Sequence, residues 1–362
     1  MISLVILISF STLSGIVDSS IMIEPDTRDE LSQSVLPLIK EIPNDTVYTP
    51  ENITPADASY HPSPDTFTIE WWYFEGIFDN GYNAVVNILL WSKNNIGLCI
   101  THLNIFHESD PDEYFATRNI QPISLFQGST SFPDIQVKND QIVDFNAEQY
   151  NASGDWKYTV TIELDGNAAN LTFIGRAPGW QGNTLGGFYG PVLPMADVFG
   201  EITIHGKTIN VSGLGYHEHA HGIPFPVKES GWYWGKIVSN TTSFFWGKMM
   251  NTIFDEQGRA GVLCKENSSF INIEPTTIIM DFMDYEFHQK RFIPTTFHFT
   301  VSDPIQGIFI NVTMTTEKIY HLPLGIFNYW RYLIKINGVI EYNGIQETLH
   351  DVTQIMEVMR FR

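Results

Sequence analysis

The sequence predicts an all-β protein made of two halves. Short runs rich in β-branched and aromatic residues recur along the chain, turn signals such as Asp79-Asn80-Gly81 and Asp165-Gly166 separate them, and long helical periods are few. At 362 residues the chain exceeds what one hydrophobic core usually serves, so two domains or one large doubled sheet is expected. Hydrophobic content of 43% with 14% aromatics is ample for such cores.

Composition also excludes function classes. A formal charge of −21, with no local Lys/Arg cluster to offset it, repels phosphate backbones and argues against nucleic-acid partners. The mean hydropathy of −0.07 argues against a multi-span membrane protein.

Residues 1–20 read as an export signal: Met1 to Val17 is apolar, and Val17-Asp18-Ser19-Ser20 offers small residues for cleavage. The positive n-region is missing, so an uncleaved anchor that holds the protein at a membrane surface, or a buried N-terminal helix, are the alternatives. Eight Asn-x-Ser/Thr triplets, at Asn44, Asn52, Asn151, Asn170, Asn210, Asn240, Asn267 and Asn311, fit a glycosylated, extracytoplasmic protein. Cys99 and Cys264 lack CxxC spacing, leaving an interdomain disulfide or two buried thiols.

Residues 21–64 are polar and interrupted by prolines, and read as an extended leader packed over the body, with a short helix near Leu31 to Lys40 and no visible chemistry. The first β-domain, 65–222, opens with TFTIEWWYFEGIF (Thr66 to Phe78), whose aromatic and β-branched residues favour a strand that the Asp79-Asn80-Gly81 turn folds back onto Tyr82 to Ser92. Glu70 beside Trp71, Trp72 and Tyr73 is either a desolvated acid or a structural carboxylate satisfied by backbone or Arg. Further strands are expected at Gly97 to Phe106, Pro122 to Phe126, Asp134 to Val137, Tyr158 to Leu164 and Ala169 to Ile174. His102 and His107, near one strand end, are either pocket-lining or simply packed. PGWQGNTLGGFYGPVLP (Pro178 to Pro194) reads as a glycine-rich loop, over a pocket mouth or between domains.

A strand from Ala196 to Ser212, turning at Gly206-Lys207, feeds into GLGYHEHAHG, Gly213 to Gly222. If this stretch is extended, His217, His219 and His221 share one face and Tyr216, Glu218 and Ala220 the other. Three imidazoles in a row with a carboxylate threaded between them make it the leading candidate site. Ile223-Pro224-Phe225-Pro226 then predicts a crossover out of regular structure. The second β-domain, 223–362, opens at Gly231-Trp232-Tyr233-Trp234-Gly235-Lys236 and repeats the strand pattern to the C-terminus.

Acid–base chemistry on an apolar substrate needs a proton donor and a water held beside it. A carboxylic acid kept protonated by apolar surroundings can donate, and a neighbouring His can hold or activate the water. Glu218 and Glu70 are the acid candidates, and His217 or His219 the water-handling partner. Trp71, Trp72, Tyr73, Trp232 and Trp234 can wall an apolar tunnel and stabilise a cation through their ring faces. Such acid catalysis needs no cofactor. Three other readings stay open: a metal site made by the His-x-His-x-His row, a non-catalytic lipid or isoprenoid carrier, and polar side chains satisfied within a domain interface.

EWWYFEG, GLGYHEHAHG and WYWGK together resemble the signature of the carotenoid 1,2-hydratase (hydroxyneurosporene synthase) and AttH-like superfamily, in order and spacing from about Thr66 to the C-terminus. The resemblance implies two tandem lipocalin-like (calycin) β-barrel domains and a hydro-lyase acting by acid-catalysed water addition or cyclisation on an apolar isoprenoid or lipid, without a metal. In the hydratases the junction motif reads Tyr-His-Asp-His-Asn-Trp-Gly. Tyr216, His217, His219 and Gly222 match it, Glu218 replaces the Asp, Ala220 the Asn, and His221 stands where the family has Trp. The family's activity is tied to the second His and to that Trp, so His219 alone carries over.

Overall fold

The computed structural model describes residues 50–64, 67–94, 96–110, 112–184, 187–224, 231–250, 256–266, 269–324 and 327–361. The export signal and the helix expected near Leu31 to Lys40 lie outside the described residues.

Thirteen strands make the first sheet: β1 (Glu51–Asn52), β2 (Thr68–Phe78), β3 (Tyr82–Lys93), β4 (Ile96–His107), β5 (Tyr114–Pro122), β6 (Phe126–Gly128), β7 (Ile135–Val137), β8 (Asp140–Phe145), β9 (Lys157–Leu164), β10 (Asn167–Gly175), β11 (Trp180–Thr184), β12 (Gly187–Ile204) and β13 (Lys207–Pro224). Eleven of them run β5-β4-β3-β2-β13-β12-β10-β9-β8-β7-β6 as a near-closed barrel, while β11 pairs with β12 and carries β1 on its other side. The second sheet is a nine-stranded half-barrel of β14 (Gly231–Val238), β15 (Thr242–Met250), β16 (Glu256–Lys265), β17 (Phe270–Ile273), β18 (Ile278–His288), β19 (Arg291–Asp303), β20 (Ile308–Leu324), β21 (Phe327–Tyr342) and β22 (Ile345–Phe361), ordered β17-β16-β15-β14-β22-β21-β20-β19-β18. The expected pair of β-cups is therefore present, the second of them open.

Local chemistry explains most of the turns. Asp165-Gly166 and His205-Gly206 both have positive φ at each central residue, the geometry that matches the twist of a two-residue hairpin. Several departures from the sequence expectations involve proline. Pro178 to Pro194 is largely strand, not loop: β11 and the first part of β12 occupy it, and Pro191 and Pro194 fall at register shifts of β12 against β13, where no ladder hydrogen bond is demanded of them. The strand expected at Pro122 to Phe126 divides into the end of β5, a single 3-10 turn at Ile123–Leu125 and the start of β6. β13 likewise continues through Ile223 and Pro224, which pair with Ile69 and Thr68 after a register shift. A seven-residue helix, α1 (Ala147–Ser153), was not legible as periodicity; Asn146 caps it by accepting from the Gln149 amide, and Gly154 ends it at φ 81°.

The apolar side chains form three clusters. Trp72, Phe74, Tyr158 and Phe173 fill the first barrel, and Trp246, Phe297, Trp330 and Tyr332 line the second sheet. Between the sheets lies a seam holding Tyr73, Trp180, Tyr189, Tyr216, Trp234 and Phe245. Both cysteines are buried free thiols, Cys99 in the first barrel and Cys264 in the seam.

Charges are buried in the seam as well. Lys236 on β14 donates to both carboxylate oxygens of Glu75 on β2 at 2.7 Å, with each side chain 1% exposed. Tyr73 donates to the same carboxylate at 2.8 Å, and the Lys236 ammonium lies 4.6 Å from the Tyr216 ring centre. Arg331 on β21 is clamped by Glu357 at 2.8 and 3.0 Å and reaches across to Asn104 on β4 at 2.8 Å. An ion pair desolvated to this degree adds little net stability over an apolar pair of similar shape, but leaving one charge alone is costly. Lys236→Met or Glu75→Leu alone should therefore destabilise the protein by about 3–5 kcal/mol, and the double variant by clearly less than the sum. Urea unfolding of the four species measures this.

Candidate functional site

The Gly213 to Gly222 stretch is strand, and it runs through the middle of the barrel path between β2 and β12. Both faces are buried. Against β2 its register sets His217 opposite Phe74, Glu218 opposite Tyr73 and His219 opposite Trp72. Two glycines fix this placement. A Cβ on Gly213 would sit 2.1 Å from the Ile77 carbonyl oxygen, so only glycine allows the close approach of β13 to β2 there. Gly222, at φ 74°, lies at the register shift after Ala220, in the left-handed region that glycine adopts freely.

The odd-numbered side chains enter the first barrel. His217 stacks on Phe74 with centroids 3.8 Å apart and planes 5° from parallel, and its Nδ1 donates to the Tyr73 carbonyl at 3.0 Å. Its Nε2 is buried without a hydrogen-bond partner, and burial pushes its pKa down to about 3, so it is a neutral flat plate in the core. His221 stacks on His61 at 3.7 Å and on Phe188 at 4.5 Å, and burial beside His61 takes its pKa down to about 3. The three imidazoles of the row therefore do not converge on one ion.

His219, fully buried, lies flat on Trp72 at 4.8 Å. Its Nδ1 is 3.0 Å from the Asp57 carbonyl oxygen and its Nε2 is 3.0 Å from Glu70 Oε1. Since a carbonyl can only accept, Nδ1 carries the proton and Nε2 turns a lone pair toward Glu70. Two acceptors 3.0 Å apart need a proton between them. Burial pushes the Glu70 carboxyl up to about 7, against the opposing pull of His61, while burial and the neighbouring imidazoles of His221 and His61 hold His219 well below its usual value. The proton accordingly sits on Glu70, and the contact is a neutral hydrogen bond rather than an ion pair. Glu70 Oε1 also accepts the His61 backbone N–H at 2.9 Å, and His61 Nδ1 lies 3.5 Å away. The His61 side chain, 34% exposed, is where this cluster reaches solvent. One ligand atom from each of His61, Glu70 and His219 lies within 4.8 Å of the others, the spacing of a metal-binding trio among the described residues.

The even-numbered side chains enter the seam. Glu218 accepts from Trp71 Nε1 at 3.0 Å, Tyr189 at 2.5 Å and Tyr216 at 2.9 Å, and Trp234 Nε1 donates to the Tyr189 hydroxyl at 2.7 Å. Burial lifts the Glu218 carboxyl to about 7, against the hydrogen bonds from Tyr189 and Trp71. Trp71, Tyr73, Trp232 and Trp234 gather in the seam, whereas Trp72 lies on the other face with the imidazoles. The structure thus brings together Glu70 with His219, and Glu218 with Tyr216, Trp71 and Trp234, but places Glu218 and His219 on opposite faces. His102 is neither part of this site nor charged: burial, then Arg331 and Arg118, take its pKa down to about 3. His107 accepts backbone N–H groups of Ser109 and Asp110 in a turn.

Several participants were not legible in the sequence. His61 and Asp57 belong to the leader, where nothing but an isolated imidazole among prolines marks them. Tyr189 sits in the segment read as a loop. Because the folded-state carboxyl of Glu218 is raised, its contribution to stability is full below the ordinary glutamate pKa and is lost as pH rises through about 7. Glu218→Gln should flatten the fall in urea midpoint between pH 5 and 8 relative to the parent protein.

A crystal structure at 2.00 Å of a candidate AttH from Nitrosomonas europaea superposes with a TM-score of 0.61, covering 86% of this chain and 98% of that one at 14% identity. A porin-like protein from Bacteroides uniformis aligns over 83% of this chain and 97% of that one at 9% identity, with a TM-score of 0.15 that carries no argument. No protein-family model and no curated protein sequence matches the chain. The superposition and the doubled β architecture establish an AttH-like fold for this protein.

Proposed function

We propose that the protein carries out acid–base chemistry on an apolar, isoprenoid-like small molecule, adding water across a carbon–carbon double bond or closing a ring, with Glu70 and His219 handling the protons. The observation that carries this reading is the 3.0 Å contact between Glu70 Oε1 and His219 Nε2, with the imidazole tautomer fixed by the Asp57 carbonyl. Glu70 gives its proton to one alkene carbon and leaves a tertiary carbocation on the other. A water attacks that carbon while His219 Nε2 takes the released proton, forming the alcohol. The proton then returns from His219 to Glu70 across their shared hydrogen bond, so the pair ends as it began. Trp72 and Phe188 flank His219 and keep its surroundings apolar. Family resemblance in GLGYHEHAHG supports the same imidazole.

Of the two acids singled out in the sequence, geometry favours Glu70. Each Glu218 oxygen is already engaged by strong donors, which suits it to holding Trp71 and Tyr189 in place. The reading also carries an extracytoplasmic, glycosylated protein, supported by sequence and by exposure: Asn52, Asn151, Asn170, Asn210, Asn240 and Asn311, the sequon asparagines among the described residues, all face solvent.

Incubation with acyclic carotenoids in H₂¹⁸O, followed by mass spectrometry, should give a labelled alcohol. Glu70→Gln should lower its rate by about 10²–10⁴-fold. If Glu218→Gln abolishes product and Glu70→Gln does not, the acid lies on the seam face and the assignment is wrong.

A further inference from the structure

We infer that His61, Glu70 and His219 also form a binding site for one divalent cation of the zinc class, whose occupancy blocks proton transfer. The binding half of this inference stands on geometry alone, and the blocking half rests on the acid–base reading above.

The ligand atoms are nearly in place. Zinc bound tetrahedrally to nitrogen and oxygen at roughly 2.0–2.1 Å sets its ligand atoms about 3.3 Å apart. Glu70 Oε1 is 3.0 Å from His219 Nε2 and 3.5 Å from His61 Nδ1, so two of the three edges already have that length. His61 Nδ1 is a buried nitrogen with no hydrogen-bond partner, although its side chain reaches solvent. At 3.5 Å from the Glu70 carboxyl, with no hydrogen bond made between them, this nitrogen is free to turn its lone pair to an ion.

The groups behind the ligands are those that hold metal-bound side chains. The other ring nitrogen of His219 is tied to the Asp57 carbonyl, which fixes its tautomer and turns Nε2 inward. Glu70 is anchored by the His61 amide. The His61 ring is held flat against His221, 3.7 Å away and 6° from parallel. Two imidazoles and one carboxylate, with the partly exposed His61 as the side from which a solvent ligand would come, suit zinc, cobalt or nickel rather than calcium or magnesium, which prefer oxygen. A cation held there would occupy both atoms across which the proton passes.

The test uses the full chain stripped with chelator. Titration with zinc chloride by calorimetry, and with cobalt(II) by visible absorption, should show one ion per chain with a four-coordinate cobalt spectrum. His61→Ala and Glu70→Gln should each weaken binding by about 100-fold or more, beyond the roughly 10–100-fold expected for an orienting partner. His350→Ala, which removes an exposed imidazole, should leave binding unchanged. Circular dichroism of each variant confirms that it is folded. Absence of stoichiometric binding, or binding indifferent to both His61→Ala and Glu70→Gln, overturns the site. Should zinc fail to bind while Glu70→Gln still abolishes turnover, the cation site falls and the acid–base reading stands. Should zinc bind while no labelled alcohol forms, the reverse holds. Zinc binding without loss of turnover overturns the blocking role.

Discussion

The organising constraint of this molecule is a stretch of strand, Gly215 to Ala220 of β13, with no solvent face. Most antiparallel strands show one side to a core and the other to water, and their sequences alternate accordingly. From Tyr216 to Ala220, β13 lies between the contents of a barrel and a second sheet, so apart from His217 Nε2, which is left without a partner, its side-chain polar groups are satisfied by protein. Polar residues survive there only because partners are supplied from elsewhere: Asp57 and Glu70 on one side, Trp71 and Tyr189 on the other. A slip of one residue would exchange the two sets and strand every one of these groups among the wrong neighbours. The tight approach at Gly213 and the irregularity at Gly222 guard against it.

This alternation separates two carboxyl groups that would otherwise look equivalent. Glu70 and Glu218 are raised to the same degree, and burial is the leading cause for both. Their surroundings differ in the direction of hydrogen bonding. Glu218 faces donors only, an arrangement that welcomes a carboxylate. Glu70 faces a lone pair on His219, which welcomes a proton or another cation. The proposed distinction between a carboxyl that braces and one that exchanges protons rests on the partners, not on the pKa.

Much of the fold could be read from the sequence because its signals are local. Alternating aromatic and β-branched residues, Asp-Gly turns, and the doubling of the pattern are statements about neighbouring residues, and the strands stand close to where these place them; the turn expected at Gly206-Lys207 falls one residue earlier, at His205-Gly206. The face assignment of His217, His219 and His221 against Tyr216, Glu218 and Ala220 was also legible, since it needs only the two-residue period of a strand. What could not be read is what each face meets. That Glu70 shares a face with His219 depends on how β2 registers against β13, across 149 residues of chain. The role of His61 depends on residues 50–64 folding back over the barrel end, and Lys236 becomes a partner of Glu75 only when two separate sheets pack. Glycine and proline misled in the opposite direction: the glycines of Pro178 to Pro194 suggest a loop and Pro224 a crossover, whereas both segments are strand with shifted register.

The cross-seam contacts have a mechanical corollary. Lys236 with Glu75, Arg331 with Asn104 and Lys335 with Glu108 each tie one sheet to the other. Pulling the sheets apart would expose the Tyr73 and Trp234 surface and break the buried Lys236–Glu75 pair in the same step. Neither half can therefore melt at leisure while its neighbour persists. The tandem arrangement, which in sequence looks like two beads on a string, is expected from these contacts to be lost as one cooperative unit.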